Sequence, residues 1–216
     1  MTLPLPAALA ASYLLGAVPT SYLAARLFRG VDLRTVGSGN LGATNLYRAA
    51  GWKVAVPVGL FDIAKGYVPA TLLAAAVGGG VRDPGVGLAC GIAAVVGHVY
   101  SVFVRFKGGK GVATGAGAML GLAPLAVLAA AGVWALVTFT SGYVSLGSVV
   151  AALSLVPAVW LLHPGQRGLL PFYLLLALGI VWLHRANLAR LRAGTEHRFG
   201  RRRGQPAEPG AGKGDA

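Results

Sequence analysis

Apolar residues in this chain are gathered into six long stretches separated by short polar segments. A transmembrane helix needs about 20 mostly apolar residues, and most of the stretches approach or exceed that length. They run over Leu3–Leu27, Val54–Val81, Val86–Phe103, Val112–Phe139, Val149–Leu162 and Leu169–Leu183. The pattern predicts an all-α integral membrane protein.

Basic residues indicate which ends of these stretches face the cytoplasm. Residues 26–53 contain five Lys or Arg, residues 105–110 contain three, and the segment from 185 to the end contains eight. The segments around Arg82 and Arg167 contain one each. Because cytoplasmic loops of membrane proteins are enriched in Lys and Arg, the three rich segments are predicted to lie inside and the N-terminus outside.

The number of crossings follows from this orientation. Residues 111 and 185 both lie inside, which requires an even number of crossings between them. Only three apolar stretches are present there, but Pro124 interrupts one of them, and an interior proline removes a helix hydrogen bond. Splitting that stretch into two short helices gives seven crossings, whereas five spans with one re-entrant stretch is the alternative. We expect about seven transmembrane helices, two of them short, with the C-terminus cytoplasmic.

Composition supports the membrane assignment. Hydrophobic residues make up 56% of the chain and charged residues 12%, against about 25% charged residues in soluble domains. This balance excludes a soluble globular or a disordered protein. The net charge of +13 fits cytoplasmic loops and anionic lipid or phosphate ligands, so we expect no nucleic-acid partner. We expect residues 1–198 to form one membrane domain and residues 199–216 a basic, disordered cytoplasmic tail.

Cysteine and histidine usage argues against a metal enzyme or a disulfide-linked protein. Cys90 is the single cysteine, so no disulfide forms within the chain. The four histidines do not have the spacing of zinc ligands. We predict neither a metal nor another cofactor.

The first candidate site is the glycine-rich segment that runs from residue 37 to residue 48. Glycines allow sharp turns and a close approach of backbone to ligand, and consecutive exposed N–H groups form anion-binding nests. An arginine adds two parallel donors for phosphate. The candidate residues here are Gly37, Ser38, Gly39, Asn40, Asn45 and Arg48. The alternative interpretation is a simple turn between helices.

The second candidate site is the segment from residue 105 to residue 114, which opens directly into an apolar helix. Free N–H groups, the helix dipole and nearby ammonium groups favour a phosphate at such a position. The candidate residues are Lys107, Gly108, Gly109, Lys110, Gly111 and Thr114. The spacing of a nucleotide-binding Walker loop is absent. Lysines at a cytoplasmic membrane boundary are the alternative interpretation.

The third candidate site continues the last apolar stretch. His184 and Asn187 are three residues apart, so they share one helix face, where an imidazole beside a carboxamide can bind an oxygen or move a proton. Glu196 follows as one of only six acidic residues. Within the membrane, Asp62 and Lys65 can pair on one helix face, either as a functional pair or as a structural one. We interpret His98 as structural.

All of these segments fall on one predicted side of the membrane. Together with Ser145 and Ser148 they would form one basic, glycine-lined pocket that suits phosphate groups, with a hydrophobic tail in the bilayer. This arrangement favours a lipid-modifying transferase. A transporter or channel for a phosphorylated solute is the alternative, although no internal repeat is visible. A phosphotransferase for CDP-activated lipid would need clustered aspartates that the chain lacks.

Four runs in a fixed order carry a more specific resemblance: GSGNLGATNLYR, KGGKGVAT, SGYVSLGS and HRANLARLRAGTE. They resemble the motifs of the bacterial acyl-phosphate:glycerol-3-phosphate acyltransferase family over residues 1–200. The resemblance implies seven helices in the inner membrane and an active site facing the cytoplasm. It also implies transfer of an acyl group from acyl phosphate to the 1-hydroxyl of glycerol 3-phosphate, giving lysophosphatidic acid and inorganic phosphate.

A hypothesis for the mechanism gives roles to the residues that match these motifs. Arg48, Lys110 and the glycine N–H groups would hold phosphates and stabilise an oxyanion. Hydroxyl and amide groups would orient oxygens, and His184 with Asn187 would position the glycerol hydroxyl; His184 acting as a base that assists its deprotonation is the alternative. We predict direct transfer without an acyl-enzyme. The predicted catalytic residues are His184, Asn187, Ser38, Arg48 and Lys110. The predicted substrate-binding residues are Gly37, Gly39, Asn40, Asn45, Lys107, Gly108, Gly109, Gly111, Thr114, Ser145, Ser148 and Glu196.

The expected partners follow from the same resemblance. The small-molecule substrates are acyl phosphate and glycerol 3-phosphate, and the lipid bilayer surrounds the domain. A soluble enzyme that produces acyl phosphate is a candidate partner for the basic tail. We expect a monomer.

Overall fold

The computed structural model describes residues 2–81 and 83–199. Arg82 and the part of the predicted tail from residue 200 onward lie outside the described residues. Within them the regular structure is helical, which confirms the all-α prediction. The first six α-helices are α1 Leu5–Ala17, α2 Thr20–Arg29, α3 Ala43–Ala50, α4 Trp52–Val68, α5 Ala74–Val77 and α6 Pro84–Val99. The remaining five are α7 Val112–Leu122, α8 Pro124–Ser141, α9 Val144–Leu162, α10 Leu170–Leu183 and α11 Arg185–Arg192.

Among the described residues, six helical segments are long and apolar enough to cross a membrane, and α7 is a shorter apolar helix. The six are Leu5–Arg29, Trp52–Val77, Pro84–Val104, Pro124–Ser141, Val144–Leu162 and Pro164–Leu183. A π-helical turn at Pro69–Leu73 joins α4 to α5. The segments agree with the predicted seven crossings.

The predicted interruption of the fourth apolar stretch is confirmed. Helix α7 ends at Leu122 and α8 begins at Pro124, so Ala123 alone separates them. Pro124 stands at the first position of α8, where its missing N–H costs no helix hydrogen bond. Only α7 is short, however, because α8 extends to Ser141 and reaches 18 residues.

The first apolar stretch is also divided, which the sequence pattern did not predict. Helix α1 ends at Ala17 and α2 begins at Thr20, with Val18 and Pro19 between them. The carbonyl groups of Ala17 and Val18 accept side-chain hydrogen bonds from other segments. The break therefore supplies backbone acceptors inside the protein.

Close helix packing holds the bundle together where small residues meet. Helices α1 and α6, α4 and α7, and α8 and α9 form the most extensive pairs. A side chain at Gly66 would overlap the carbonyl of Thr114, and one at Gly117 would overlap the carbonyl of Ile63. Small residues at these positions let α4 and α7 approach closely, as is common between membrane helices.

The alternating direction of the crossings brings four polar connections to one end of the bundle. These are the segments after α2, after α6, between α8 and α9, and after α10. They include the three predicted site segments and the predicted serines at the start of α9. The opposite end contains the turns after α5, α7 and α9.

Candidate active site

A cavity of about 440 Å³ opens among the polar connections and extends between the helices of the bundle. Its polar end is lined by Ser38, Asn40, Asn45, Arg48, Lys110, Ser145, Ser148, His184, Asn187 and Glu196. Most of its remaining wall is apolar and includes Met119, Val127, Ala130, Trp134, Leu155 and Leu176. The structure therefore brings the three predicted motifs and the two serines together in one place.

A second cavity, of about 560 Å³, lies beside the polar end of the first. Four residues line both cavities: Ser38, Asn40, Lys110 and Asn187. The second cavity is otherwise strongly basic, because Arg34, Arg105, Lys107 and Arg190 line it. Gly39 and Gly108, both predicted to bind phosphate, line this basic cavity.

Asn45 organises the first glycine-rich segment from inside. Its side chain is almost fully buried. Its carboxamide oxygen accepts the N–H of Ser38 at 3.0 Å, and its nitrogen donates to the carbonyls of Leu33 and Val36 at 3.2 and 3.0 Å. A side chain at Gly37 would overlap the same carboxamide, and φ is +60° at Gly37. Although Asn45 was predicted to bind substrate, the structure assigns its amide group to holding this turn.

The second glycine-rich segment is bound to the end of α6. The N–H of Gly108 donates to the carbonyl of Val99 at 2.9 Å, and the N–H of Gly109 donates to that of His98 at 3.1 Å. These two N–H groups are therefore occupied, contrary to the expectation that they would hold phosphate. The N–H groups of the first turn of α7 have no acceptor within the helix, and they follow the left-handed Gly111, whose φ is +75°. An anion at this segment would meet the start of α7 and the Lys110 ammonium.

A chain of hydrogen bonds joins the second and third motifs. Lys110 Nζ donates to Asn187 Oδ1, and Asn187 Nδ2 donates to Glu196 Oε1 at 2.6 Å. Glu196 Oε1 also accepts from Ser145 Oγ at 2.9 Å, and Glu196 Oε2 accepts from Arg190 Nε at 2.7 Å. Glu196 also lines the first cavity, but these donors occupy its carboxylate, so it supports its neighbours rather than binding a ligand itself.

Burial shifts the acid–base properties of this chain. Burial and the positive charges of Arg190 and Arg48 lower the pKa of Lys110 to about 8, against the opposing attraction of Glu196. Burial raises the pKa of Glu196, but hydrogen bonds from Asn187, Ser145 and Arg190 outweigh it and leave that pKa below its ordinary value. At neutral pH the site therefore contains a lysine that is charged but close to titration, and an ionised carboxylate.

His184 is held in one tautomer by the helix that precedes it. Its Nδ1 lies 2.8 Å from the carbonyl of Ile180, which can only accept, so we assign the ring hydrogen to Nδ1. Burial and the nearby charge of Lys110 lower the pKa of His184 to about 4. The imidazole is thus neutral at pH 7, with Nε2 as a hydrogen-bond acceptor.

Some predicted residues do not face the first cavity. Thr114 is fully buried at the packing surface between α4 and α7 and does not line either cavity. Gly109 is buried against His98 and also lines neither. Ser148 lines the first cavity, but its hydroxyl donates to the carbonyl of Val144 at 2.8 Å. The sequence pattern placed these residues near the site but could not show which atoms were already bonded.

Other residues also belong to the site, although the sequence analysis did not include them among the predicted site residues. Arg190 binds Glu196 and lines the basic cavity, yet in the sequence it is one of several arginines near the C-terminus. Asp62 and His98 line the first cavity. The predicted pairing of Asp62 with Lys65 is confirmed, with 2.8 Å between Oδ1 and Nζ.

The segment that contains Glu196 is held in place three residues further on by contacts of Phe199. The N–H of Phe199 donates to the carbonyl of Gly142 at 2.7 Å. The Phe199 ring stacks on Tyr47 with 5.5 Å between centroids and meets Phe139 edge-on. These contacts fasten the segment to α3 and to the connection between α8 and α9, on either side of the cavity.

Known proteins have a similar sequence and a similar fold. A family model described as glycerol-3-phosphate acyltransferase matches residues 6–194. A protein of that name from Desulforudis audaxviator is 50% identical over 87% of this chain and 92% of its own length. Another of that name, from Geobacter sulfurreducens, is 45% identical over 88% and 95%.

Solved structures extend this similarity to three dimensions. The crystal structure of PlsY (YgiH), an integral membrane glycerol 3-phosphate acyltransferase, in its glycerol 3-phosphate form, superposes with a TM-score of 0.81. It is 40% identical, covering 89% of this chain and 94% of that one. The lysophosphatidic acid form has a TM-score of 0.79. The resemblance seen in the four motifs is confirmed, and the chain belongs to the glycerol-3-phosphate acyltransferase family.

Proposed function

We propose that this chain transfers an acyl group from acyl phosphate to the 1-hydroxyl of glycerol 3-phosphate, producing lysophosphatidic acid and inorganic phosphate. The observation that carries the proposal is the meeting of an apolar cavity and a basic cavity at four shared polar residues. A reaction between a lipid-like donor and a small anionic acceptor needs this combination. The relatives named glycerol-3-phosphate acyltransferase support the same acceptor.

Each substrate has a natural place in this arrangement. The acyl chain fits the apolar wall between α8, α9 and α10, where its burial removes hydrocarbon from water. Glycerol 3-phosphate fits the basic cavity, whose arginines and lysines offset its charge. We propose that the segment over residues 107–111 holds its phosphate through Lys107, Lys110 and the first turn of α7.

The proposed chemical step is direct attack by the glycerol hydroxyl. The hydroxyl oxygen bonds to the acyl carbon, the bond from that carbon to the phosphate oxygen breaks, and the hydroxyl hydrogen ends on the leaving phosphate. Nε2 of neutral His184 accepts a hydrogen bond from the hydroxyl and orients it. Lys110 and Arg48 stabilise the negative charge that develops on the acyl oxygen.

The serines in the cavity support direct transfer over an acyl-enzyme. Ser145 donates its hydroxyl hydrogen to Glu196 Oε1, and Ser148 donates to the carbonyl of Val144. The carbonyl of Val144 cannot take up a proton, and the hydrogen bonds that Glu196 also accepts from Asn187 and Arg190 lower its pKa and make it a weak base, so neither serine has the strong base that activates a nucleophile. Cys90 is buried in a small cluster with Ala8 and Ala74, away from the cavity lining.

The proposed location is the bacterial inner membrane with the site facing the cytoplasm. Its support is the basic character of the connections at the site end: Arg34, Arg105, Lys107 and Arg190 all lie there. Positive-inside bias places such connections in the cytoplasm.

A comparison of acyl donors tests the proposed reaction. The purified protein in detergent is supplied with glycerol 3-phosphate and with acyl phosphate, acyl-CoA or acyl-carrier protein, with divalent metals chelated. We expect lysophosphatidic acid and equimolar phosphate from acyl phosphate alone. Activity only with acyl-CoA would contradict the donor. Acylated protein trapped during the first turnover would contradict direct transfer.

A further inference from the structure

A buried polar cluster lies against the second glycine-rich segment, and the proposed reaction does not use it. Asp62, Lys65 and His98 are each at most 8% exposed. Asp62 Oδ1 lies 2.8 Å from Lys65 Nζ, accepts the hydroxyl of Thr20 at 2.6 Å, and lies 3.9 Å from Nδ1 of His98. Lys65 Nζ also donates to the carbonyl of Val18 at 2.9 Å. Ionisable groups within a membrane protein are costly to bury and mark candidate functional positions.

Helix packing alone does not explain the position of His98. The pairing of Asp62 with Lys65 and the hydroxyl of Thr20 already join α4 to α2. His98 reaches the same carboxylate from α6, and both His98 and Asp62 line the first cavity. The imidazole therefore lies between the carboxylate and the segment that precedes Lys110.

The contact between His98 and that segment is direct. The carbonyl of His98 accepts the N–H of Gly109 at 3.1 Å. A Cβ at Gly109 would overlap Nε2 of the His98 ring and lie 3.0 and 3.1 Å from its Cε1 and Cδ2. Gly109 does not have a positive φ, so space beside the ring, rather than backbone strain, explains the glycine there.

We propose that His98 is a positioning residue for the phosphate-binding segment. The ring and the carbonyl of His98 together fix Gly109, the neighbour of Lys110, and so set where the Lys110 ammonium and the first turn of α7 stand. A displacement of about 1 Å at such a place is enough to reduce a rate about 100-fold. This inference rests on the proposed function, because it takes that segment to hold the phosphate of glycerol 3-phosphate.

The test is a double-mutant cycle with His98→Ala and Gly109→Ala, followed by steady-state kinetics in both substrates. Each single variant is expected to raise KM for glycerol 3-phosphate about tenfold, with a smaller effect on KM for acyl phosphate. In the double variant the added methyl group occupies space that the ring has vacated. Its KM should therefore be no higher than that of His98→Ala alone, since the two effects share one contact.

Two further variants separate positioning from simple stability. Thr20→Val removes a hydrogen bond from the same cluster without touching the glycine segment, so it should lower Tm but leave KM for glycerol 3-phosphate unchanged. His98→Gln retains polarity and most of the volume if His98→Ala fails to fold, and it should still raise that KM. Fold is checked by Tm and by gel filtration of each variant in detergent.

Several outcomes would overturn the inference. The first is an unchanged KM for glycerol 3-phosphate in folded His98→Ala or His98→Gln. The second is a double variant whose KM rises by the product of the two single increases, which would show that the two residues act independently. The third is a rise in KM for Thr20→Val equal to that for His98→Ala. If the wild-type protein uses acyl phosphate normally while these results appear, the inference fails and the proposed function stands. If the wild-type protein makes no lysophosphatidic acid from acyl phosphate, the proposed function fails, and His98 loses its proposed role with it.

Discussion

At the scale of single residues, hydrogen bonds already made decide what each side chain can still do. Asn45 and Gly108 lie in motifs that indicated phosphate binding, yet their donors are bonded within the protein. The chemistry of a residue type is readable from sequence, but its bonding partners are not. Asn45 binds carbonyls 9 and 12 positions away, and these distances are closed only by folding.

Lys110 gives the clearest prediction at this scale, because its pKa is lowered to about 8. The ammonium is charged below that pH and neutral above it. We expect kcat/KM to fall as pH rises through about 8, by up to about tenfold per pH unit. Lys110→Arg should remove this fall, because a guanidinium remains charged over the range.

Lys53→Arg, at an exposed position away from the cavities, is the matched control and should keep the wild-type profile. Rates measured from pH 6 to pH 9.5 in a constant-ionic-strength buffer provide the comparison. A fall that persists in Lys110→Arg would show that another group titrates.

At the scale of helices and connections, prolines indicated some of the helix boundaries before the structure was known. Pro124 was expected to divide an apolar stretch, and it does so. Pro19 divides another stretch, but Pro57 and Pro157 lie inside helices α4 and α9 that continue through them. A proline marks a candidate helix boundary, and tertiary packing determines whether the helix actually ends there.

The connection after α11 shows how a short segment can support the site. Glu196 accepts hydrogen bonds from two helices, from Ser145 of α9 and from Asn187 and Arg190 of α11. Glu196→Gln would remove the charge opposite Arg190 and replace one acceptor with a donor. We expect a loss of about 1–3 kcal/mol in unfolding free energy, together with reduced kcat.

The pH dependence of stability provides an independent measurement. The pKa of Glu196 is lower in the folded protein than its ordinary value of 4.5, so its contribution is complete above pH 4.5 and is lost as pH falls below it. Thermal unfolding should show a smaller acid-induced loss in Glu196→Gln than in wild type. Thr195→Ala, an exposed neighbour, should match wild type, and an equal acid response in all three proteins would refute the role assigned to Glu196.

At the scale of the whole molecule, the charge pattern and the crossing number predicted where the site assembles. Seven alternating segments bring the three motifs and the connection between α8 and α9 to one end. Counting the basic residues in each connection and the number of crossings therefore predicted which segments meet. It could not predict that two cavities form there, because their shapes depend on side-chain packing between helices distant in sequence.

The predicted orientation can be measured by labelling introduced cysteines in cells. Cys90 is buried and is the single cysteine, so Cys90→Ser supplies a background. Thr35→Cys and Arg192→Cys, both exposed at the site end, should react with a membrane-impermeant maleimide only after permeabilisation. Gly165→Cys at the opposite end should react in intact spheroplasts. Labelling of Thr35→Cys and Arg192→Cys from opposite compartments would contradict a shared site.

The pair of cavities has a consequence for how the enzyme would clear its products. On the proposed reaction, lysophosphatidic acid and inorganic phosphate differ completely in solubility. The apolar cavity and the basic cavity share only four polar residues, so we expect each product to leave from the cavity that suits its own solubility. The lipid can partition sideways into the bilayer while phosphate diffuses into water, and neither departure obstructs the other.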